Sequence, residues 1–160
     1  GFDTANTLIK EIVALDFALK VESFGLRELP EAAKALCTLA GTFTDYKREE
    51  LRERQAMLRE NIETFLGTNG LIVTPTLPSR PPAWKTLRRE KHLVDNLCYY
   101  LTLANVCDLP AISIVLGVPG EQFPFSLQLV GPPDSDFTLV RYAAKLQEDL
   151  MTGKEANSDR

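Results

Sequence analysis

The chain has 160 residues, of which 44% are apolar, and its net charge is −4 with an isoelectric point near 5.1. Domains most often contain ~100–150 residues, so this length predicts one domain with a real core. We assign residues 1–150 to it and expect a polar, frayed tail over 151–160. The acidic balance argues against nucleic acid as a partner, because phosphate binding requires a basic face.

Cysteine usage and hydropathy indicate the cellular compartment. The three cysteines, Cys37, Cys98 and Cys107, are odd in number and lack CxxC spacing, which favours reduced thiols over disulfides. No apolar run approaches the ~20 residues of a membrane span, and no signal-peptide pattern opens the sequence. We therefore expect a soluble, cytoplasmic protein that has no membrane partner.

Helices are predicted throughout the first part of the chain. Apolar residues three and four apart predict a helix over 3–24 that ends at Gly25, and a second helix begins near Pro30. A third helix starts at the cap Thr44 and ends at Gly67. Its apolar residues form one narrow stripe on a charged rod, which is typical of a helix that lies on a surface. They are Leu51, Leu58, Ile62 and Phe65.

The middle of the chain combines a short apolar run, a proline segment and basic residues. The run LIVT at 71–74 has no polar alternation before its final threonine, which predicts a strand buried on both faces. Four prolines in 75–84 make that segment a stiff connection. The basic runs at 47–55 and 85–91 are interleaved with Glu, a pattern typical of the solvated side of a helix. A further helix is predicted over 91–105.

Two more apolar runs flank a Gly/Pro loop. AISIVL at 111–116 and FSLQLV at 125–130 predict two strands that pair antiparallel, and a last helix is predicted over 136–150. These elements indicate an α/β fold in which a small mixed sheet of about three strands is covered by about five helices. A strand that is apolar on both faces normally has neighbours at both edges, so the sheet is expected to belong to a wider one.

A long motif occupies the chain from Asn105 to Ala144. It is Asn-x-x-x-Leu-Pro-Ala-Ile-Ser, a glycine, Pro-x-x-Leu-Gln-Leu-Val-Gly, an aspartate and Leu-Val-x-x-Ala-Ala. This motif resembles the carboxy-terminal region of the amidase signature family. Upstream, 71–82 is similar to the family's buried strand with its Pro/Ala loop, and 45–58 is similar to its long helix with Tyr and Arg. One departure is Phe125-Ser126, where the family usually has small residues, often Val-Gly.

The resemblance extends from about Tyr46 to Leu146 and implies a hydrolase of amides. Members of the family use a serine nucleophile, a second serine on a cis peptide and a lysine, all located before the region represented here. A serine needs a neighbouring base, and the oxyanion needs backbone donors from a glycine-rich turn. None of the six serines here lies next to another or in a glycine-rich loop, and neither G-x-S-x-G nor S-x-x-K occurs. We therefore assign no catalytic residue.

The resemblance also implies substrate-binding residues. In the family, the segment before the asparagine of the motif helps to line the substrate cleft, which by position implies Tyr99, Tyr100 and Thr102. We add the asparagine itself, Asn105, as a fourth candidate for substrate binding. On a helix the two tyrosines would point different ways, so at most one would face any given cleft. The alternative role for Asn105 is to tie the backbone of the following turn. Trp84, in the proline segment, is either a flap over the same opening or a surface anchor.

Other groupings of reactive residues are better explained by structure. His92 and Cys98 lie six residues apart, on different faces of a helix, so a packed thiol is favoured over a thiol–imidazole pair. An unrelated enzyme that uses Cys98 or Cys107 is disfavoured, because neither thiol has a base nearby in sequence. Asp134 and Asp136 suit helix capping better than paired catalysis. A lone histidine builds no metal site, and we expect neither metal nor cofactor.

Two functions follow from these patterns. The first is the carboxy-terminal portion of an amide hydrolase, which supplies sheet strands and one wall of the cleft and is inactive alone. Its partner would be an amino-terminal amidase portion, and a small amide would bind only with that portion. The second is a stand-alone, non-enzymatic binding or assembly module that covers its open sheet edge by forming a homo-oligomer.

Overall fold

The computed structural model describes residues 1–90, 92–116 and 125–155. These residues form seven helices and three strands, which confirms the predicted α/β fold with a small three-stranded sheet. In chain order they are α1 (Phe2–Phe24), α2 (Glu31–Gly41), α3 (Asp45–Leu66), β1 (Ile72–Pro75), α4 (Trp84–Arg89), α5 (His92–Leu97), α6 (Thr102–Cys107), β2 (Ala111–Leu116), β3 (Phe125–Val130) and α7 (Asp136–Glu155). The predicted loop over 117–124 and the last residues, 156–160, lie outside the described residues.

The strands form one sheet in the order β1–β3–β2, and both pairings are antiparallel. The described sheet is therefore antiparallel and not mixed as expected, because β1 and β2 both run opposite to the central strand β3. Gln128 of β3 lies opposite Thr74 of β1 and Ser113 of β2, so these polar residues share one face. Leu127 and Leu129 belong to the other face, because successive strand residues point to opposite sides. The sheet therefore has one face with a polar centre and one apolar face.

Helix α7 covers the apolar face. Its Leu139 and Ala143, four residues apart on one side of the helix, are buried against Ile114 and Leu129. Burial of one leucine-sized side chain stabilises a fold by about 1.5–3 kcal/mol, so this small cluster is enough to hold α7 on β2 and β3.

A larger core lies between α1, α3, α6 and one end of the sheet. Leu8, Leu51, Leu103 and Val106 are fully buried there, together with Val130 of β3. Three- and four-residue spacing places one side of α1 against this core, as the sequence predicts. The buried residues of that side include Ala5, Leu8, Ile12 and Leu15.

Helix α3 lies on the same core by the predicted narrow stripe. Leu51 and Leu58 are buried and Ile62 packs against them. At the end of the stripe the sequence-based choice of Phe65 is wrong, because Leu66 is buried there and Phe65 is exposed. The helix turns by about 100° per residue, so a neighbour one position along can take the inward place near a helix end.

The predicted boundaries of α3 and the end of α1 are confirmed. The Thr44 hydroxyl accepts a hydrogen bond from the Lys47 amide at 3.1 Å, which caps the first turn of α3. Gly25 and Gly67 follow α1 and α3 with φ angles of 60° and 55°. This left-handed region costs glycine little and other residues more, so each glycine ends its helix.

Two predictions about the middle of the chain are wrong. The helix predicted over 91–105 is interrupted by a turn at 98–101, which separates α5 from α6. This break and the short α4 raise the number of helices from about five to seven. Strand β1 is not buried on both faces: Val73 is 55% exposed, because β1 is an edge strand and α7 packs on β2 and β3.

Candidate functional site

The turn at 98–101 carries the tyrosines that the resemblance places at the cleft. Its backbone uses tighter, three-residue hydrogen bonds: the Tyr99 amide donates to the Asn96 carbonyl at 3.2 Å, and the Leu101 amide donates to the Cys98 carbonyl at 2.9 Å. The chain can therefore change direction between α5 and α6 without leaving these backbone groups unpaired.

Side chains from α1 and α6 hold this turn through one carbonyl. The Asn6 amide nitrogen donates to the Tyr99 carbonyl at 2.9 Å, and the Thr102 hydroxyl donates to the same oxygen at 3.0 Å. Asn6 also donates to the Phe2 carbonyl at 2.8 Å, within its own helix. Thr102 is buried, and a buried hydroxyl without a hydrogen-bond partner would destabilise the fold; the bond to the Tyr99 carbonyl removes that cost.

The rings of Tyr99 and Tyr100 lie together, contrary to the expectation from a continuous helix. Their centroids are 5.1 Å apart at 84°, and Phe2 packs on both at 6.0 and 5.5 Å. Edge-to-face pairs of this kind are favourable because the positive edge of one ring meets the negative face of another. The break in the helix is what allows adjacent tyrosines to share one cluster.

The Tyr99 hydroxyl adds a polar contact to the aromatic cluster. It donates to the Asp3 carboxylate at 2.7 Å. This hydrogen bond to Asp3, with smaller effects of desolvation and of the Asp3 charge, raises the pKa of Tyr99 above its ordinary value. The contact attaches the start of α1 to the turn.

The opposite side of the turn is attached to the sheet. The buried Gln128 side chain donates to the Tyr100 carbonyl at 3.0 Å. On the neighbouring strand β1, Thr74 lies opposite Gln128 and is only 8% exposed. Within the described ranges, the Thr74 hydroxyl is the buried side-chain polar atom that has no hydrogen-bond partner. On the polar face of the sheet, Gln128 is therefore hydrogen-bonded to the turn, whereas the Thr74 hydroxyl on β1 has no partner in the described ranges.

An apolar cavity of about 490 Å³ opens between α1, α2 and this turn. Thr102 and Cys98 line its inner side, and Asn6 and Lys10 add polar groups. The remaining lining is apolar and comes from α1 and α2: Ile9, Val13, Ala35, Leu36 and Leu39. Small-molecule sites are commonly concave, about 300–1,000 Å³ in volume, and apolar with a few polar groups. We call this space the apolar cavity.

Asn105 lies away from the apolar cavity. It lines a polar groove of about 660 Å³ between α1, α3 and α6, which also contains Asp16, Lys20, Arg52, Arg59 and Asp108. The Gln55 side chain, which the sequence did not single out, ties the nearby backbone by donating to the Val106 carbonyl at 2.9 Å. The structure therefore brings Tyr99, Tyr100 and Thr102 together and separates Asn105 from them.

The cysteine thiols and the hydroxyls of Ser113 and Ser135 are not activated as nucleophiles. Cys37, Cys98 and Cys107 are free, and burial raises the pKa of the Cys107 thiol to about 11, which keeps it protonated and poorly nucleophilic. Ser113 on β2 contacts the Thr76 hydroxyl at 3.3 Å, and Ser135 donates to the Pro132 carbonyl at 2.6 Å. These contacts offer neither hydroxyl the base that a nucleophile needs.

The residues that the structure describes contain neither a metal site nor a membrane-spanning helix. Among the described residues, no group of His, Cys, Asp and Glu is arranged to hold a metal ion. None of the helices in the described ranges has the length and hydropathy that a bilayer span requires.

Sequence reasoning missed Asn6 and gave no role to Gln128. Asn6 lies 93 residues from Tyr99 in the chain and before the stretch that carries the resemblance, so no local signal connected the two. Gln128 stands inside the Leu-Gln-Leu-Val-Gly motif, and a polar residue in an otherwise apolar strand was the available signal for it.

Comparison with known proteins agrees with the fold. The family model described as Amidase matches residues 20–140. A glutamyl-tRNA(Gln) amidotransferase subunit of Haloarcula marismortui is 27% identical over 113 residues, which are 68% of this chain and 25% of that protein. Fatty acid amide hydrolase of Medicago truncatula is 35% identical over 83 residues, 49% of this chain and 14% of that protein.

A solved structure extends the similarity to the architecture. The allophanate hydrolase of Kluyveromyces lactis superposes with a TM-score of 0.66 and 18% identity, over 89% of this chain and 25% of that chain. This chain thus spans about a quarter of the Haloarcula relative and of the solved structure. Since the family match covers most of the chain, the protein belongs to the amidase family.

Proposed function

We propose that this chain supplies the carboxy-terminal part of an amide (C–N) hydrolase. In that role it contributes three strands of a wider sheet and one wall of the substrate cleft. The observation that carries the proposal is the position of Thr102. Resemblance to the family assigns it to the cleft, and it lines an apolar cavity of about 490 Å³. The family match over residues 20–140 supports the reaction class.

The apolar cavity is suited to the carbon chain of an amide. Ile9, Val13 and Leu36 line it, and each methylene group removed from water there contributes about 0.8 kcal/mol. Asn6 and Thr102 both donate to the Tyr99 carbonyl, so they hold the wall in place. The wall therefore binds and orients, whereas cleavage requires the serines and lysine of the family.

Ligand binding at the cavity can be tested without catalysis. A series of simple primary amides of increasing chain length is titrated into the purified chain and followed by NMR. We expect the dissociation constant to fall about fourfold per added methylene. Ala35→Phe should fill the cavity and abolish binding, whereas Lys34→Phe, at an exposed position of α2 outside the cavity lining, should leave it unchanged. If both variants bind the amides equally well, the apolar cavity is not the binding site.

The predicted inactivity has its own test. The purified chain is offered a panel of simple amides and esters, and each serine and cysteine is replaced by alanine in turn. We expect no turnover, and turnover that survives every replacement indicates a contaminant. Turnover that one replacement abolishes would show a nucleophile in this chain and contradict the proposal.

A second candidate function is a stand-alone binding or assembly module. It is favoured by the two edge strands, where Val73 is 55% and Val115 is 58% exposed. Exposed apolar edge strands readily pair with another chain, including a second copy. Size-exclusion chromatography with light scattering separates the two functions. A discrete oligomer that unfolds cooperatively supports the module, whereas heterogeneous aggregation supports a part that needs the rest of the hydrolase.

A further inference from the structure

The charge of this chain is distributed unevenly. Residues 80–91 contain five basic residues and one acidic residue, a net charge of +4. The whole chain carries −4, so the residues outside this segment carry −8. The segment begins within the proline-rich connection after β1 and includes α4. The sequence pattern predicts the solvated side of a helix here, and the structure adds the position of the aromatic residue.

Trp84 begins α4 and is 67% exposed. Leu87 follows three residues later, on the same side of the short helix. Arg80, Lys85 and Arg89 are also exposed and lie close to this apolar pair in the sequence. Helix α4 is not among the helices and strands that pack closely together in the described part of the chain. We call Arg80, Trp84, Lys85, Leu87 and Arg89 the basic Trp84 surface.

We propose that the basic Trp84 surface binds anionic lipid headgroups at a membrane surface. An indole ring has an apolar body and one N–H donor, which suits the boundary between acyl chains and headgroups. Lysine and arginine beside it are attracted to the negative potential of anionic lipid. This proposal departs from the expectation that the chain has no membrane partner, which rested on the lack of a spanning segment and of a signal peptide. Peripheral binding requires no membrane-spanning helix, and none of the described helices is a span.

Lipid is favoured over nucleic acid by the aromatic content of the segment. Proteins that bind single strands through stacking present several aromatic rings in a basic groove. Trp84 is the sole Phe, Tyr or Trp residue between Thr76 and Cys98, and its neighbour on the same side is aliphatic Leu87. One indole with an aliphatic neighbour matches interfacial insertion. This proposal is independent of the amide hydrolase function and uses none of the cavity residues.

The sequence contains one tryptophan, so its fluorescence reports on Trp84 alone. The full chain is titrated with phosphatidylcholine vesicles and with vesicles that also contain phosphatidylserine. We expect the emission to shift to shorter wavelength with the anionic vesicles only, and the shift to disappear as salt is raised. An equal shift with both vesicle types would show unspecific adsorption and would overturn the proposal.

Charge variants sharpen the test. Each basic residue near an anionic membrane contributes roughly fivefold to the partition coefficient, so Arg80→Gln, Lys85→Gln and Arg89→Gln together should lower it about 100-fold. The matched control replaces the exposed Lys20, Arg27 and Arg141 by Gln and removes the same net charge elsewhere. If the control lowers binding as much, the net charge of the chain is responsible and the proposed surface is wrong.

Aromatic variants and a competitor complete the design. Trp84→Ala should weaken co-sedimentation with anionic vesicles, whereas Phe137→Ala, at a position that is 88% exposed, should leave it unchanged. An RNA oligonucleotide serves as the competitor. If it shifts the Trp84 emission at a lower phosphate concentration than the vesicles do, the partner is nucleic acid and the lipid proposal is overturned.

Discussion

The helical layer and the sheet of this molecule differ in whether their buried polar groups are hydrogen-bonded. Around α1 and α6, the buried Thr102 hydroxyl and the Asn6 amide meet at one carbonyl, above a continuous core that includes Leu8 and Leu51. On the polar face of the sheet, the Thr74 hydroxyl is buried and has no partner within the described ranges. Buried polar groups in folded proteins are normally paired, so hydrogen bonding is satisfied at this point of the helical layer and not on the sheet face.

This difference locates the missing contacts. The edge strands β1 and β2 expose Val73 and Val115, and the unsatisfied Thr74 lies in β1. Val73 and Thr74 point to opposite faces of β1, so a further strand paired with this edge in a wider sheet would place one side chain beside Val73 and the next beside Thr74. The helical layer, in contrast, already encloses its own core. The two regions therefore predict different responses to substitution, and the following experiments test that contrast.

The largest effect is expected in the helical core. Leu8→Ala removes a fully buried side chain and should lower the free energy of unfolding by about 2–5 kcal/mol, measured by urea denaturation. Leu19→Ala, on the exposed side of the same helix, is the control and should change it by less than about 0.5 kcal/mol. Similar effects at both positions would show that the helical layer has no fixed core.

A smaller loss is expected where the sheet holds the tyrosine turn. Gln128→Leu keeps the side-chain size but leaves the Tyr100 carbonyl without its donor, which should cost about 1–3 kcal/mol in unfolding free energy. Gln147→Leu, at an exposed position of α7, is the matched control. If both changes are neutral, the contact between sheet and turn does not contribute to stability.

The contrast between the two regions is tested most directly by a pair of threonines. Thr102→Val removes a hydroxyl that donates to Tyr99 and should destabilise by about 0.5–1.5 kcal/mol. Thr74→Val removes a buried hydroxyl without a partner in the described chain, so it should be neutral or stabilise by about 1 kcal/mol. Destabilisation by Thr74→Val would mean that its hydroxyl is already paired and that the sheet face is complete.

The last expected effect is a change of stability with pH. Burial raises the pKa of Cys107 from 9.0 to about 11, so above pH 9 the unfolded chain loses this proton more readily than the folded chain. The unfolding free energy should therefore fall as pH rises from 9 toward 11, and the part due to the thiol should vanish in Cys107→Ala. An unchanged slope in that variant would contradict the assignment to Cys107.

Local patterns were sufficient for several elements. The cap Thr44 and the stop Gly67 bound α3 as the sequence predicts, because capping and left-handed glycine depend on neighbouring residues alone. The strands at 111–116 and 125–130 were likewise predicted correctly from short apolar runs. The family resemblance rested on the same stretch and is confirmed by the match over residues 20–140.

The candidate site depended on contacts between distant parts of the chain. Helical spacing predicted one helix over 91–105, but Asn6 and Gln128 bind the carbonyls of Tyr99 and Tyr100 and the helix breaks at that turn. The exposure of Val73 also follows from where α7 packs.

By itself the sequence determined both ends of α3, the end of α1, the hairpin strands and the family, since these depend on residues within a few positions of one another or on a contiguous motif. Only the tertiary structure decided that Tyr99, Tyr100 and Thr102 share one region while Asn105 faces a separate groove. The physical reason is that side-chain hydrogen bonds and ring packing join residues far apart in sequence. Such pairings are specified by the assembled core and leave no periodic trace in the chain.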